Sequence, residues 1–318
     1  MRARRRTPRR IRGMALVNAL VIVAALAAIA TVLLTRAQGA IDRLEGEQNA
    51  AQTVLYLDAA EALVAQLLAP ADAPHHKNQG WAQPGEDEAI DRGQVGWQID
   101  DLQGRFNLNW LMTDTGGEGW GAGAALGRLL QALDLPATSR LAEALSDDRR
   151  RRETAFDGAG QAPPPLPLVL ARQLHDLSGL DAEGWRRLGQ HTAALPTGSA
   201  LNVNTATRPV LSAVLPMLDE RALDAIEAYR LERPFEDADA FTEWLEETLD
   251  IALTPENDNG DEEREELVPL PPLAGYSEWF EARLQARLDS VVLRRTVVLH
   301  RGRSGEAARV HLTWHESD

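Results

Sequence analysis

The sequence predicts an α+β chain: one long N-terminal helix, then two separated groups of strands with a block of helices between them. Three observations carry this. Residues 14–34, MALVNALVIVAALAAIATVLL, hold no charge and run on without a proline to Pro70. Apolar and polar residues alternate through Val95–Leu111, and the chain after Gly275 reads as a helix-to-strand or strand segment followed by β-rich runs. Between them, leucines recur at helical spacing in Leu126–Leu145 and Leu168–Leu195, and short capped helices follow in Ser199–Leu245.

The uncharged run is about 21 residues long, close to the roughly 20 a helix needs to cross a bilayer. Seven arginines (Arg2, Arg4, Arg5, Arg6, Arg9, Arg10 and Arg12) precede it with no acid among them. That charge holds the preceding end in the cytoplasm. Subtracting the seven from the formal net charge of -15 leaves the remainder at -22, a balance repelled by nucleic-acid phosphates. The chain has no cysteine, which excludes disulfides, thiolate metal sites and a cysteine nucleophile.

The run does not end like a cleaved secretory signal. Ala24–Ala30 offers small residues, but helix-compatible sequence continues past it. Beyond Thr35, Ile41, Leu44, Ala51, Leu55, Ala59 and Ala62 recur at spacings of three, four and seven and predict an amphipathic continuation packed on a soluble domain. A helix over Leu16–Leu68 is about 53 residues, or roughly 80 Å, with Gly39 and Gly46 as candidate bends.

Pro70–Gly85 reads as an exposed loop carrying His75 and His76, with no acids at metal-ligand spacing. Val95–Ile99 and Phe106–Trp110 read as the two arms of a hairpin turning at Asp101–Gly104. Gly104 then supplies a positive φ, and Asn107 and Asn109 point to solvent. Thr113–Gly127, with six glycines, is a loop; Asp147–Arg152 is a solvated charge run; Pro163–Pro167 is a stiff connector. Asn204–Ala206 caps a helix near Arg208, Asp219 a second through Tyr229 and Asp237 a third. The acidic Glu256–Glu266 is out of register for an EF-hand, since aligning Gly260 puts Pro255 at the first ligand position. Strands over Val291–Arg301 and Ala307–Trp314 close the chain across a turn at Gly302–Gly305.

The junction Arg12-Gly13-Met14-Ala15-Leu16-Val17 resembles the type IV prepilin motif, which a dedicated peptidase cuts after the glycine and methylates at the new N-terminus. Together with GRFNLNWL (Gly104–Leu111), ALNVNTATRPVLSAVLP (Ala200–Pro216) and GYSEWFEARLQARLDSVVLRRTVVLHR (Gly275–Arg301), it resembles the general secretion pathway protein K family, the large minor pseudopilin of type II secretion. The resemblance implies a pilin-like α+β fold: a long N-terminal transmembrane helix packed on an antiparallel sheet, interrupted by a large α-helical insert. It divides the chain into a leader (1–13), the N-terminal helix (14–69, transmembrane over 14–34), a first part of the pilin-like domain (70–112), the insert (113–249, with a helix-hairpin-helix or SAM-like 199–245) and a second part (250–318).

It further implies cleavage at Gly13 and Met14 by the prepilin peptidase, N-methylation of Met14, and a place at the pseudopilus tip with the minor pseudopilins I and J above the major pseudopilin. The protein is then anchored once in the inner membrane, N-terminus cytoplasmic and main domain periplasmic. Asn18, fifth after the cut, stands where most pilins and pseudopilins carry glutamate, and its neutrality suits a first subunit with no predecessor's N-terminal ammonium to pair with. The family's insert carries acidic calcium-binding stretches; neither is legible here, and the spacing of Asp147, Asp148 and Asp157 names no ligands, so no cofactor is assigned.

The rival function is a membrane-anchored helix-hairpin-helix DNA-binding protein, to which LNVNTA followed by short helices is also similar. Its turn would be Leu215–Glu220, which lacks glycine, contains a proline without an N–H and carries two acids, so nucleic acid is not expected as a partner. No nucleotide-binding loop, nucleophile elbow or metalloprotease signature occurs, and His175 and His191 read as helix-surface residues, so no enzyme activity is expected.

Overall fold

The computed structural model describes residues 11–69, 74–112, 120–136, 180–251, 270–302 and 310–317. Helix α1 runs unbroken from Ile11 to Leu68 through Gly39 and Gly46, which do not bend it into separate helices. Its C-terminal part lies across a five-stranded sheet of order β1-β2-β7-β8-β9, antiparallel throughout: β1 Gly85–Ile90, β2 Gly93–Asp101, β7 Trp279–Leu288, β8 Val291–Arg301 and β9 Val310–Ser317. The architecture is the expected α+β arrangement of long helix, antiparallel sheet and helical insert.

Alternation sets the buried face of the sheet. Phe280, Ala282, Leu284, Ala286 and Leu288 of β7, Val95 and Ile99 of β2, and Val297 and Leu299 of β8 meet Tyr56, Leu57, Ala60, Val64 and Leu68 of α1 in one core. Gly93 is required for that approach: a Cβ there would lie 2.4 Å from the Arg287 carbonyl oxygen and 3.1 Å from the Tyr56 ring. Between β7 and β8, Asp289 takes the left-handed conformation (φ 53°) of a two-residue hairpin turn.

The face of α1 that packs is not the one its spacing predicted. Ile41, Leu44, Ala51, Leu55, Ala59 and Ala62 are exposed, and the buried side is nearly opposite, beginning at Thr53 and Tyr56. Arg295 of β8 reaches over to Asp58 (2.7 Å) and Glu61 (3.1 Å), fixing the rotation of the helix on the sheet.

The predicted hairpin is also corrected. β2 pairs with β1 and β7, whereas Phe106–Asn107 form a short strand β3 parallel to β4 (Thr192–Ala193), followed by a 3-10 turn over Leu108–Met112. Gly104 does not adopt a positive φ; its constraint is space, since a Cβ would meet the carbonyl oxygen and hydroxyl of Thr205 at 2.8 Å. Asn107 and Asn109 do not face solvent. Both are buried, and their amides donate to the Pro196 (2.9 Å) and Leu195 (2.6 Å) carbonyls.

The insert forms a second core. Phe106, Leu108 and Trp110 pack with α2 (Ala122–Ala132), α3 (Ala182–Gly189), α4 (Arg208–Val214), α5 (Glu220–Glu232) and α6 (Ala238–Leu249). Asp219 and Asp237 cap α5 and α6 as expected, accepting from the N–H groups of Ala222 and Ala240 at 2.8 Å. Thr207, rather than Asn204–Ala206, is the N-cap residue of α4. α2 begins at Ala122, inside the expected glycine loop, because Gly121 at φ 82° turns the chain into it. β5 (Leu201–Asn202) and β6 (Leu273–Ala274) pair parallel and bring the chain back toward the sheet. The charge run at Asp147–Arg152, the polyproline connector, the Glu256–Glu266 stretch and Asp157 lie outside the described residues.

Candidate assembly interface

The N-terminal part of α1 is a bare apolar cylinder. It is the one helix among the described residues long and apolar enough to cross a membrane, with a mean hydropathy of 2.6 over its most apolar window and none of that window buried. Leu16 is 74% and Leu26 61% exposed, and nothing among the described residues covers them. Within the span the two hydroxyls satisfy themselves on the helix: Thr31 donates to the Ala27 carbonyl and Thr35 to the Thr31 carbonyl, each at 2.9 Å.

Gly13 falls in the first turn of α1, Met14 follows it on the exposed helix, and Asn18 stands one turn further on among exposed apolar side chains. The helix therefore places the three predicted residues together at one end. Asn18 is the first polar side chain after Met14 and carries no charge, which suits an apolar medium that an ionised side chain enters only at high cost. Beyond Leu34 the exposed stripe of Ile41, Leu44 and Leu55 continues the apolar surface toward the head, on the side of the helix turned away from the sheet.

The head holds its two cores together through a buried polar cluster that the sequence did not announce. Asp101, at the end of β2, accepts from the hydroxyls of Ser277 (2.6 Å) and Thr205 (2.5 Å), the amide of Asn202 (3.1 Å) and the Gln103 N–H (2.8 Å). Burial pushes its carboxyl up, and the hydrogen bonds oppose that rise. Gln103 donates to the Ala200 carbonyl and accepts from Glu278 N–H; Asn204 brackets Phe235, accepting from its N–H and donating to its carbonyl, both at 2.8 Å. The signal that could have found the cluster is its composition: polar residues with short side chains in LNVNTA beside an apolar run.

His75 belongs to the same cluster and is not the exposed loop residue expected. It is buried; its Nδ1 accepts from the Ser277 N–H at 2.8 Å and its Nε2 lies against the Arg301 guanidinium. Burial first, then Arg301 and His76, lower its pKa to about 4, so it is neutral at ordinary pH. His191 is half-buried at the end of α3, with Nδ1 2.9 Å from the Thr207 hydroxyl, rather than on a helix surface. His175 lies outside the described residues. Among the described residues no three histidine, aspartate or glutamate side chains gather to hold a metal ion.

The α4–α5 turn keeps its proline, and the nearby Arg208 guanidinium is held by Glu220 (2.5 Å), Asp224 (2.8 Å) and Glu227 (3.2 Å), leaving that corner of the insert acidic. This is a poor seat for a phosphate backbone.

Models of the family described as Type II secretion system (T2SS), protein K match residues 104–197 and 201–253. The Type II secretion system protein K of Klebsiella pneumoniae is 30% identical over 246 residues, covering 70% of this chain and 74% of the relative. The chain belongs to the type II secretion system protein K family. The protein K of Pectobacterium carotovorum subsp. carotovorum is 29% identical over 318 residues, covering 92% of this chain and 93% of the relative. A chain in the crystal structure of the GspK-GspI-GspJ complex from enterotoxigenic Escherichia coli superposes with a TM-score of 0.62 at 22% identity, covering 87% of this chain and 99% of that one, and shares the fold. Membership of the protein K family makes the chain a minor pseudopilin of type II secretion, and its bare α1 is the part that a membrane or neighbouring subunits must cover.

Proposed function

We propose that the chain initiates and caps the tip of the periplasmic pseudopilus, in complex with the minor pseudopilins I and J and above the major pseudopilin. The observation that carries this is the neutral Asn18 on the uncovered apolar part of α1. A lone carboxylate there needs the N-terminal ammonium of a preceding subunit, and an asparagine does not. The subunit with no predecessor is the one at the tip, while its own Met14 ammonium stays available to the glutamate of the next.

In this reading the prepilin peptidase cuts between Gly13 and Met14 and methylates Met14, residues 14–34 cross the inner membrane with the N-terminus cytoplasmic, and the head is periplasmic. The exposed stripe Ile41, Leu44 and Leu55 is then the face that meets the helices of the partner subunits. The partners are supported by the complex in which the similar fold was crystallised. The role is structural rather than catalytic: the polar atoms of Asp101 and His75 are already engaged in holding the two cores together.

N-terminal mass analysis of the mature protein, combined with cysteine cross-linking to partner subunits, tests the proposal. The expected result is a methylated Met14 terminus and cross-links at fibre ends only. A different terminus, or a distribution along the shaft at the copy number of the major subunit, overturns it.

A further inference from the structure

The outer face of the sheet, away from α1, is covered over only part of its area. Leu102, just after β2, and Ala193 and Leu195 of the insert pack against Trp279 and Val298. Among the described residues nothing covers the neighbouring part, which is organised in three cross-strand rows: Gln94, Arg287 and Val292; Gly96, Gln285 and Arg294; Gln98, Arg283 and Thr296. Gly96 presents no side chain in the central row, and a depression of about 470 Å³ forms there, bordered by Gln98, Arg283, Gln285, Arg294 and Thr296, with Glu86 of β1 also lining it.

Its arginines are unevenly satisfied. Arg283 is held by Asp100, whereas Arg294 spends its Nε on Gln285 (3.1 Å), and neither Arg294 nor Arg287 has a carboxylate within salt-bridge distance among the described residues. Both are exposed. On a chain with a formal net charge of -15, Arg287 and Arg294 thus stand without a carboxylate partner among the described residues, beside a polar depression on the sheet face.

We infer that this face docks an acidic, extended segment of a partner polypeptide whose carboxylates sit at alternate positions. Diagonal neighbours on adjacent strands lie about 7–8 Å apart, so Arg294 stands that far from both Arg283 and Arg287. Alternate side chains of an extended segment are spaced by about 6.6 Å, which matches. Gln98, Gln285 and Thr296 add uncharged hydrogen-bonding groups between the cations.

Lipid head groups do not fit the location. These rows stand beside the part of α1 from Asn49 to Glu61, as the Asn49–Asp289 and Arg295–Glu61 contacts show. Asn49 is about 22 Å along the helix from Leu34, more than two Debye lengths of about 8 Å. A polyanion such as nucleic acid would meet the repulsion of the whole acidic chain.

The test uses the full-length protein in detergent and a fluorescein-labelled (Glu-Thr)4 peptide as probe. Saturable binding is expected at low ionic strength, weakened by salt, and weakened about tenfold in the Arg287→Glu, Arg294→Glu double variant. Arg221→Glu, on the exposed surface of α5, serves as control and should change it little. Unfolding midpoints within a degree or two of the parent would establish that the double variant is folded. No saturation up to millimolar peptide, or equal binding by the double variant, overturns the inference. Self-association of the parent that the same reversals abolish also overturns it, by making a second copy of the chain the occupant.

Discussion

The Ser277 hydroxyl donates to the Asp101 carboxylate at 2.6 Å across 176 positions of sequence. Asp101 ends β2 and Ser277 precedes β7, and Asn202 and Thr205 of the insert bond to the same carboxylate. One side chain thus ties both parts of the sheet to the second core.

Replacing that side chain should be among the most destabilising changes in the head. Asp101→Ala strips the acceptor from the hydroxyls of Ser277 and Thr205 and from the Gln103 N–H, and each orphaned group costs about 1–3 kcal/mol. The expected loss, by urea denaturation of a fragment from Ala40 onward, is at least about 3 kcal/mol. A loss below about 1 kcal/mol would mean the cluster is dispensable.

The His75 pKa of about 4 gives the head an acid-labile contribution. The unfolded histidine takes a proton near its ordinary value of 6.5 while the folded one stays neutral, so the unfolded state binds more protons between those values. This contribution is complete above about pH 6.5 and is lost as the pH falls toward about 4. It is worth up to roughly 3 kcal/mol. Asp101, whose carboxyl is raised, contributes with the opposite sign, its effect falling away as the pH rises from the ordinary carboxylate value of 3.8. Thermal unfolding between pH 7 and 4.5 should show a shallower acid slope in His75→Gln than in the parent.

The two sides of α1 should separate by mutation. Leu57→Ala, on the sheet side and 1% exposed, should cost about 2–5 kcal/mol of stability. Leu55→Asp, two positions earlier and 59% exposed, should leave the unfolding midpoint nearly unchanged while abolishing co-purification with the partner subunits. Equal stability losses in both would contradict the assignment of faces.

Processing and position are tested at the helix start. Gly13→Leu should block leader removal, so the unprocessed chain keeps its seven arginines, visible as a mass difference. Asn18→Glu should not improve assembly in a secretion assay, and a gain would remove the reason for placing the chain at the tip.

Local signals made part of this fold legible. The helix over Leu16–Leu68, the Asp219 and Asp237 caps and the β-rich run Val291–Arg301 depend on neighbours a few residues away, and each is found as read. Several of the misreadings involve distant partners. Phe106–Trp110 alternates like a strand arm, but its neighbour is β4 some 86 positions on. Asn107, Asn109 and His75 look solvated until the carbonyls of Pro196 and Leu195 and the N–H of Ser277 arrive. The stripe on α1 is instructive in another way: apolar spacing marks a face that avoids water and does not say whether this chain's own sheet covers it.

The adjacency of β2 and β7 bears on how the head is made. β1 and β2 emerge early in synthesis, and a two-stranded hairpin is marginal by itself. Their next neighbour, β7, comes only after the whole insert, and with it Ser277, the fourth donor to Asp101. A chain cut short anywhere in the insert therefore holds an anchored helix and an unfinished sheet with the β2 edge open to proteolysis or wrong pairing. The sheet, and with it the head, is complete only once β7, β8 and β9 are in place.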